Sequence, residues 1–288
     1  MRRRTVTQLF DADPAGITTR LWIGMVAAAV IAFLGVRTRT LSMSGAVAAV
    51  AVGTTIFAGA GLLLSAPLIA FFVSGSALSR IGGTRAWQAR AAAVKTGERD
   101  AQQVLANGAI AALCALGIAA CASMGLHHAA RVFLLAAIAS IAAAAGDTWS
   151  SEIGVLSPSW PRLITTFAVV RPGTSGAVTW LGTSAAIAGG AFVASAAAPF
   201  GIARPFALAA IGAAAGLAGT LVDSLLGAAV QGVWHCDVCD KPSDLSLHRC
   251  GGQARYVRGI LAVGNDVVNA LTTGAVAGLG AAVALLTG

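Results

Sequence analysis

The residues Gly146-Asp147-Thr148-Trp149-Ser150-Ser151-Glu152-Ile153-Gly154 follow the apolar run Val132–Ala145 and place two carboxylates and three hydroxyls where that run ends. At helical spacing Asp147 falls beside Ser151, and Thr148 beside Glu152, so these groups form one polar edge. Three more polar stretches stand at the ends of other apolar segments: Asp100-x-x-Gln103-x-x-x-Asn107, Asp223-Ser224-x-x-Gly227-x-x-x-Gln231 and Asn265-Asp266-x-x-Asn269. An acid in such a position costs about 2.5–3.5 kcal/mol on insertion scales and needs a partner or a function. The bland explanation is that each acid pairs with an arginine or caps a helix near the interface. Asp147, Asp223 and Asp266 together, flanked by Asn107, Asn265 and Asn269, point instead to Mg²⁺, a hard cation that bridges carboxylates and phosphate oxygens. Glu152 is a further candidate ligand.

Other stretches suit phosphate. Arg171-Pro172-Gly173-Thr174-Ser175-Gly176 directly precedes an apolar segment. If a helix starts there, its free N–H groups face an anion, and Gly173, Thr174, Ser175 and Gly176 let the backbone approach it. An ordinary Pro-Gly turn with a hydroxyl cap explains the same residues. Lys95 and Arg99 suit a phosphate clamp, whereas Arg80, Arg85 and Arg90 are better read as topology-setting charge. No Gly-x-x-x-x-Gly-Lys-Ser/Thr motif and no dinucleotide-type glycine motif is present, so a nucleotide would be held by other means. Near the C-terminus, Cys236-x-x-Cys239 and His248-x-Cys250 supply four donors for a tetrahedral zinc site, with His235 as a competitor. Unligated thiols and a disulfide are the alternatives. Cys114 and Cys121 suit packing within a span, and His127 and His128 an interface.

The elements that carry these groups are membrane spans. The 288 residues are 57% hydrophobic and 10% charged, with mean hydropathy +0.81, against roughly 25% charge in a soluble domain. The expected fold is all-α: a polytopic transmembrane helix bundle of about 7–8 spans, forming one domain over 1–288, with a tail at 1–19 and a Cys/His loop at 232–258. Spans of about 20 residues are expected near 20–36, 42–58, 61–79, 103–124, 130–147, 177–198, 205–231 and 259–287. With 35 glycines, close helix packing is expected, including at Gly212-x-x-x-Gly216 and Gly274-x-x-x-Gly278. Eight spans put thirteen of the 19 Lys and Arg residues on the side of the long loops. The positive-inside rule then places those loops in the cytoplasm and both termini outside, with only the Arg2–Arg4 cluster against it. Each polar stretch named above falls at that cytoplasmic face. The net charge of +8 forms no stripe interleaved with aromatics, which argues against nucleic acid. A bacterial inner (plasma) membrane suits the Ala-, Gly- and Arg-rich composition.

In order along the chain, Arg99–Gly108, Asp147–Gly154, Pro172–Val178, Asp223–Ala228 and Asn265–Asn269 resemble the phytyl-phosphate kinase family. That membrane family includes transmembrane protein 19 and was long filed as a domain of unknown function. The resemblance runs from about residue 40 to the C-terminus. It implies a kinase that moves a phosphoryl group from a nucleotide, CTP by analogy with related phytol and dolichol kinases, to an isoprenyl monophosphate in the bilayer. Asp147, Asp223 and Asp266 would then hold Mg²⁺, while Asn107, Lys95, Arg99 and residues 173–176 orient phosphates. A multi-span transporter or channel with an acidic site is the alternative, although the acids gather at one face and trace no path across the membrane. An intramembrane aspartyl protease fits less well, since Ala144-Ala145-Gly146 lacks the first glycine of a Gly-x-Gly-Asp motif. The spaced Asp/Gly/Arg signature of CDP-alcohol phosphotransferases is absent.

Overall fold

Alanine loses no side-chain entropy on entering a helix and, like glycine, lets neighbouring backbones approach closely. The chain uses both properties. The computed structural model describes residues 14–80, 97–238, 240–243, 246–247 and 250–287. Among the described residues eight α-helices carry the fold: α1 (Pro14–Arg37), α2 (Met43–Ala60), α3 (Leu62–Leu78), α4 (Ala101–Ser123), α5 (His127–Gly154), α6 (Trp180–Ser195), α7 (Pro205–Ala229) and α8 (Asn265–Thr287). Seven of them are long and apolar enough to cross a membrane, and α3, with 17 residues, is shorter. Outward-facing Trp22, Phe33, Val47, Leu113, Phe206 and Leu285 are exposed, as expected of a surface whose solvent is lipid. The protein is a polytopic helical membrane bundle.

The central helix is α5. Its residues Ala136 to Gly146 form an unbroken buried run, and it packs against α3, α4, α6, α7 and α8. Small side chains make that crowding possible. A Cβ added at Gly146 would collide with the backbone of Gly216 on α7, one at Gly219 with Ala143, and one at Gly190 on α6 with Gly212. The expected packing at Gly212 and Gly216 is therefore present. The pair Gly274/Gly278 behaves differently. A Cβ at Gly278 meets nothing within 4 Å, and the glycine of α8 that touches α5 is Gly280, against Ala139 and Leu135. A small-x-x-x-small pattern reports contact only on the face turned to a neighbour. Cys114 lies in the buried core and Cys121 packs against it, consistent with the packing role read from the sequence.

The described residues of connections 38–42, 79–100, 155–179 and 230–264 lie at one end of the bundle and are stitched together. Arg99 N donates to Thr40 O (2.9 Å) and its carbonyl accepts from Ser42 N (3.1 Å). Arg80 Nη2 donates to Thr38 O (2.8 Å). Short strands complete this end: β1 (Arg162–Leu163) pairs antiparallel with β2 (Ala177–Val178), and β3 (Val233–Cys236) lies between β4 (Lys241–Ser243) and β5 (Arg255–Arg258).

Some boundaries differ from the sequence reading. α5 runs on to Gly154 rather than ending near 147, so the Asp147–Glu152 edge is helical. α1 begins at Pro14, within the expected tail. α8 begins at Asn265 rather than near 259, because Ile260 pairs with the Gln231 segment and residues 259–264 close that sheet. The clearest energetic test lies in the α5–α7 crossing. Gly216→Leu is expected to destabilise the protein by at least about 1–3 kcal/mol through overpacking, seen as a lower thermal midpoint in detergent. Gly278→Leu should leave the midpoint unchanged.

Candidate functional site: a carboxyl pair in a polar chamber

The α5–α7 contacts, Gly146 on Gly216 and Ala143 on Gly219, lie within about two helical turns before Asp147 and Asp223, so backbone contact brings the two acids together. Their carboxyl groups are within hydrogen-bonding reach of each other. Asp223 Oδ1 is buried and has no hydrogen-bond partner. Two like charges about 4 Å apart repel by about 4 kcal/mol at an effective dielectric near 20. An unpartnered buried carboxyl oxygen carries a further desolvation cost. Both costs fall if a cation sits between the carboxylates, so the donor set fits Mg²⁺.

Trp149 fixes the rotation of α5. It is about 200° around the helix from Asp147 at 100° per residue. Its ring stacks against Gly189 of α6 and lies 5.7 Å from the Phe192 ring, while Nε1 donates to Ser74 Oγ on α3 (3.2 Å). With Trp149 held between α3 and α6, Asp147 faces α7.

The pair lines a cavity of about 1630 Å³. Every described residue that the sequence singled out for Mg²⁺ or phosphate lines it as well: Arg99, Asn107, Asp147, Glu152, Gly173, Thr174, Ser175, Gly176, Asp223, Asn265, Asp266 and Asn269. Lys95 lies outside the described residues. From this polar end the cavity continues along apolar walls that include Ala28, Gly53, Phe57, Leu68 and Phe72. Phe57 is fourteen residues into α2, about 21 Å from the polar end at 1.5 Å per residue.

The structure shows what several of these side chains touch. Asp266 lines the same cavity as the pair. It occupies the first turn of α8, where a negative charge also stabilises the helix dipole. Glu152 accepts from Ser79 Oγ (2.6 Å) and acts electrostatically on Arg99. The Arg99 guanidinium lies 5.7 Å and 5.9 Å from the ring centroids of Phe71 and Phe72. Burial lowers its pKa from the usual value, with Glu152 acting the other way. Asn107 spends its Nδ2 on Gln103 O (2.9 Å) of its own helix, which leaves Oδ1 as its outward-facing acceptor. Asp100 caps α4 by accepting from Gln103 N (3.0 Å).

The glycine loop is also placed differently. It does not run straight into α6: Ala177–Val178 form β2, and Thr179 caps the helix through Gly182 N (3.0 Å). The loop is fastened instead to the end of α7. Ser175 Oγ donates to Gln231 Oε1 (2.7 Å), and a Cβ at Gly176, whose φ is +83°, would collide with Ala228. Arg258 Nη1 and Nη2 donate to the Ala228 and Gly227 carbonyls at the same helix end. Arg171 contacts Asp240 (3.4 Å), which also meets His235 (3.2 Å). Gln231 and Asp240 were missed as site residues in the sequence. Gln231 was visible one turn past Gly227 in the α7 motif, but nothing in the sequence indicated that its partner was Ser175.

Fold and site together define a multi-span helical membrane protein with an acidic pair in a polar chamber at one end of the bundle. The chain belongs to the DUF92 family of integral membrane proteins, whose model matches residues 26–277. This bears out the family resemblance and extends it to α1. The chain is 34% identical over 270 residues to Protein PGR of Arabidopsis thaliana, covering 87% of this chain and 91% of that one. It is 34% identical over 220 residues to an uncharacterized membrane protein of Methanocaldococcus jannaschii, covering 76% and 86%. To Protein VTE6, chloroplastic, of Arabidopsis thaliana it is 32% identical over 194 residues, covering 66% and 56%. No solved structure matches the chain.

The Ser175–Gln231 bond makes a local prediction. Gln231 is 3% exposed, and losing a buried partner costs about 1–3 kcal/mol. Gln231→Ala should therefore speed amide hydrogen exchange at residues 173–176 by about tenfold or more, while exchange in α5 stays as in the wild type.

Proposed function

We propose that the protein is a membrane-embedded phosphotransferase. It moves a phosphoryl group from a nucleoside triphosphate, CTP in the first instance, to an isoprenyl monophosphate such as phytyl phosphate, and the product is the isoprenyl diphosphate. The observation that carries this reading is a carboxyl pair, suited to a divalent cation, in a cavity whose lining runs from polar residues to the apolar Ala28, Gly53, Phe57, Leu68 and Phe72. A polar headgroup with one long apolar tail matches that shape. Membership of a family with the relatives described above supports it. In this reading the chamber faces the cytoplasm, where nucleotide is available, the termini lie outside, and the membrane is a bacterial inner membrane.

The reaction is an in-line displacement. An oxygen of the acceptor phosphate forms a bond to the γ-phosphorus, the bond from that phosphorus to the β–γ bridging oxygen breaks, and the nucleoside diphosphate leaves. The acceptor is already ionised, so positioning and charge neutralisation carry most of the catalysis. Asp147 and Asp223 would hold Mg²⁺, whose chemistry there would be neutralisation of phosphate charge. Oδ1 of Asn107 and the side chains of Asn265 and Asn269 offer neutral oxygens around that position. Asp266, in the cavity wall at the first turn of α8, adds a third carboxylate from which Mg²⁺ could be held. Arg99, kept in the chamber by Glu152 and the Phe71 and Phe72 rings, faces the phosphates with a charge it retains. Residues 173–176, latched to α7, present backbone N–H groups. The apolar walls of α1 to α4 exclude water and hold the tail.

The test is label transfer. Purified protein in detergent with Mg²⁺ receives γ-labelled CTP or ATP and phytyl, geranylgeranyl or farnesyl monophosphate. Label should appear in the prenyl diphosphate, and folded Asp147→Asn and Asp223→Asn variants should fall by at least about 100-fold, the scale of one lost electrostatic contact to the transition state. Folded, metal-replete wild-type protein that transfers no label with any donor or chain length would contradict the reading.

A further inference from the structure

A second cluster of chemical groups lies outside the chamber, in the sheet formed by β3, β4 and β5. Cys236 ends β3 and is buried. Cys250, fourteen residues on, returns to it with its sulfur 3.6 Å from Cys236 Sγ, and the two are not joined as a disulfide. Zinc–sulfur bonds of about 2.3 Å in a tetrahedral site set neighbouring sulfurs about 3.8 Å apart. The observed separation therefore matches one edge of such a site.

The module around the thiols has little else to hold it together. Its strands are four, three and four residues long. Its larger apolar side chains, among them Val238, Leu247, Val257 and Ile260, are exposed. The Trp234–Tyr256 edge contact is a small core for such a sheet. Structured segments of this size usually need a disulfide or a metal. The backbone at the cysteines is also suited to thiolates. Asp240, directly after Cys239, has φ +51°, and Gly251, directly after Cys250, has φ +81°. Left-handed residues of this kind turn consecutive N–H groups toward one point and form the concavities that stabilise anionic ligands. His235, the competing donor, is engaged with Asp240 (3.2 Å).

We propose that Cys236 and Cys250 are two ligands of a structural zinc ion that cross-links the β3–β5 module, the described half of the Cys236/Cys239/His248/Cys250 set read from the sequence. Cys239 and His248 lie outside the described residues, and their assignment rests on the sequence alone. The ion would fasten the loop whose Asp240 meets Arg171 at the chamber mouth. The site is independent of the phosphotransfer reading.

The experiment is metal analysis of the full-length protein, purified in detergent without a polyhistidine tag and without chelator. About one zinc per chain is expected. Cys236→Ser and Cys250→Ser should each lose most of it, and Cys121→Ser, which alters a thiol in α4, should keep it. In the wild type, a chelator should release zinc together with new reactivity of Cys236 and Cys250 toward maleimide. Wild-type protein with no zinc above background would overturn the proposal, whether peptide mapping without reductant shows Cys236 joined to Cys250 or both thiols alkylated at once. So would zinc that remains at full stoichiometry in both variants.

Discussion

Two carboxyl groups held in contact at the end of a membrane bundle are the constraint on which the rest of the structure depends. With both Asp147 and Asp223 ionised, their repulsion would be about 4 kcal/mol at about 4 Å, large on the scale of a protein's net stability of about 5–15 kcal/mol. They are kept together by the α5–α7 crossing, where Gly146, Gly216 and Gly219 allow backbone contact, and by Trp149, which stops α5 from rotating away. The bundle gives up separation of like charge and gains a point of concentrated negative potential in a chamber that also holds Arg99 and the 173–176 loop.

The remaining polar end serves to fix the walls of that chamber. The 173–176 loop is attached to the same helix that carries Asp223, through Gln231 and the close fit of Gly176 against Ala228. A shift of α7 would therefore move the acid and the loop together. Arg99 is tied by its backbone to the 38–42 connection, and through its side chain to α3 and to Glu152 on α5. The sheet of β3 to β5 grips the last turn of α7 through Arg258. Each of these ties comes from a different connection, which explains why chemistry-bearing residues spread from position 99 to position 269 meet in one cavity.

Much of this was legible in the sequence. The apolar composition required a membrane bundle, and the distribution of Lys and Arg alone grouped the long connections, and with them the polar motifs, at one end. What the sequence could not show was pairing. That Asp147 meets Asp223 depends on which glycines lie at a crossing. Gly216 does, whereas Gly278, with the same local pattern, faces open space. The 171–176 loop was read as the entry to α6 because a Pro-Gly segment before an apolar run usually is one. Its attachment to Gln231 spans 56 residues and leaves no local trace. The start of α8 was placed early because Ile260 to Val263 look like span residues, although Ile260 pairs with the segment that follows α7.

The central claim is that the Asp147–Asp223 pair holds a divalent cation. The direct measurement is the thermal midpoint of purified protein in detergent, titrated with Mg²⁺ after chelator treatment. The account predicts that the wild-type midpoint rises with Mg²⁺, as for any ligand that binds the folded state alone. Asp147→Asn and Asp223→Asn should start higher than the metal-free wild type, because one of two like charges is gone, and should gain little from Mg²⁺. An equal Mg²⁺ response in all three proteins, or none in the wild type, would contradict it.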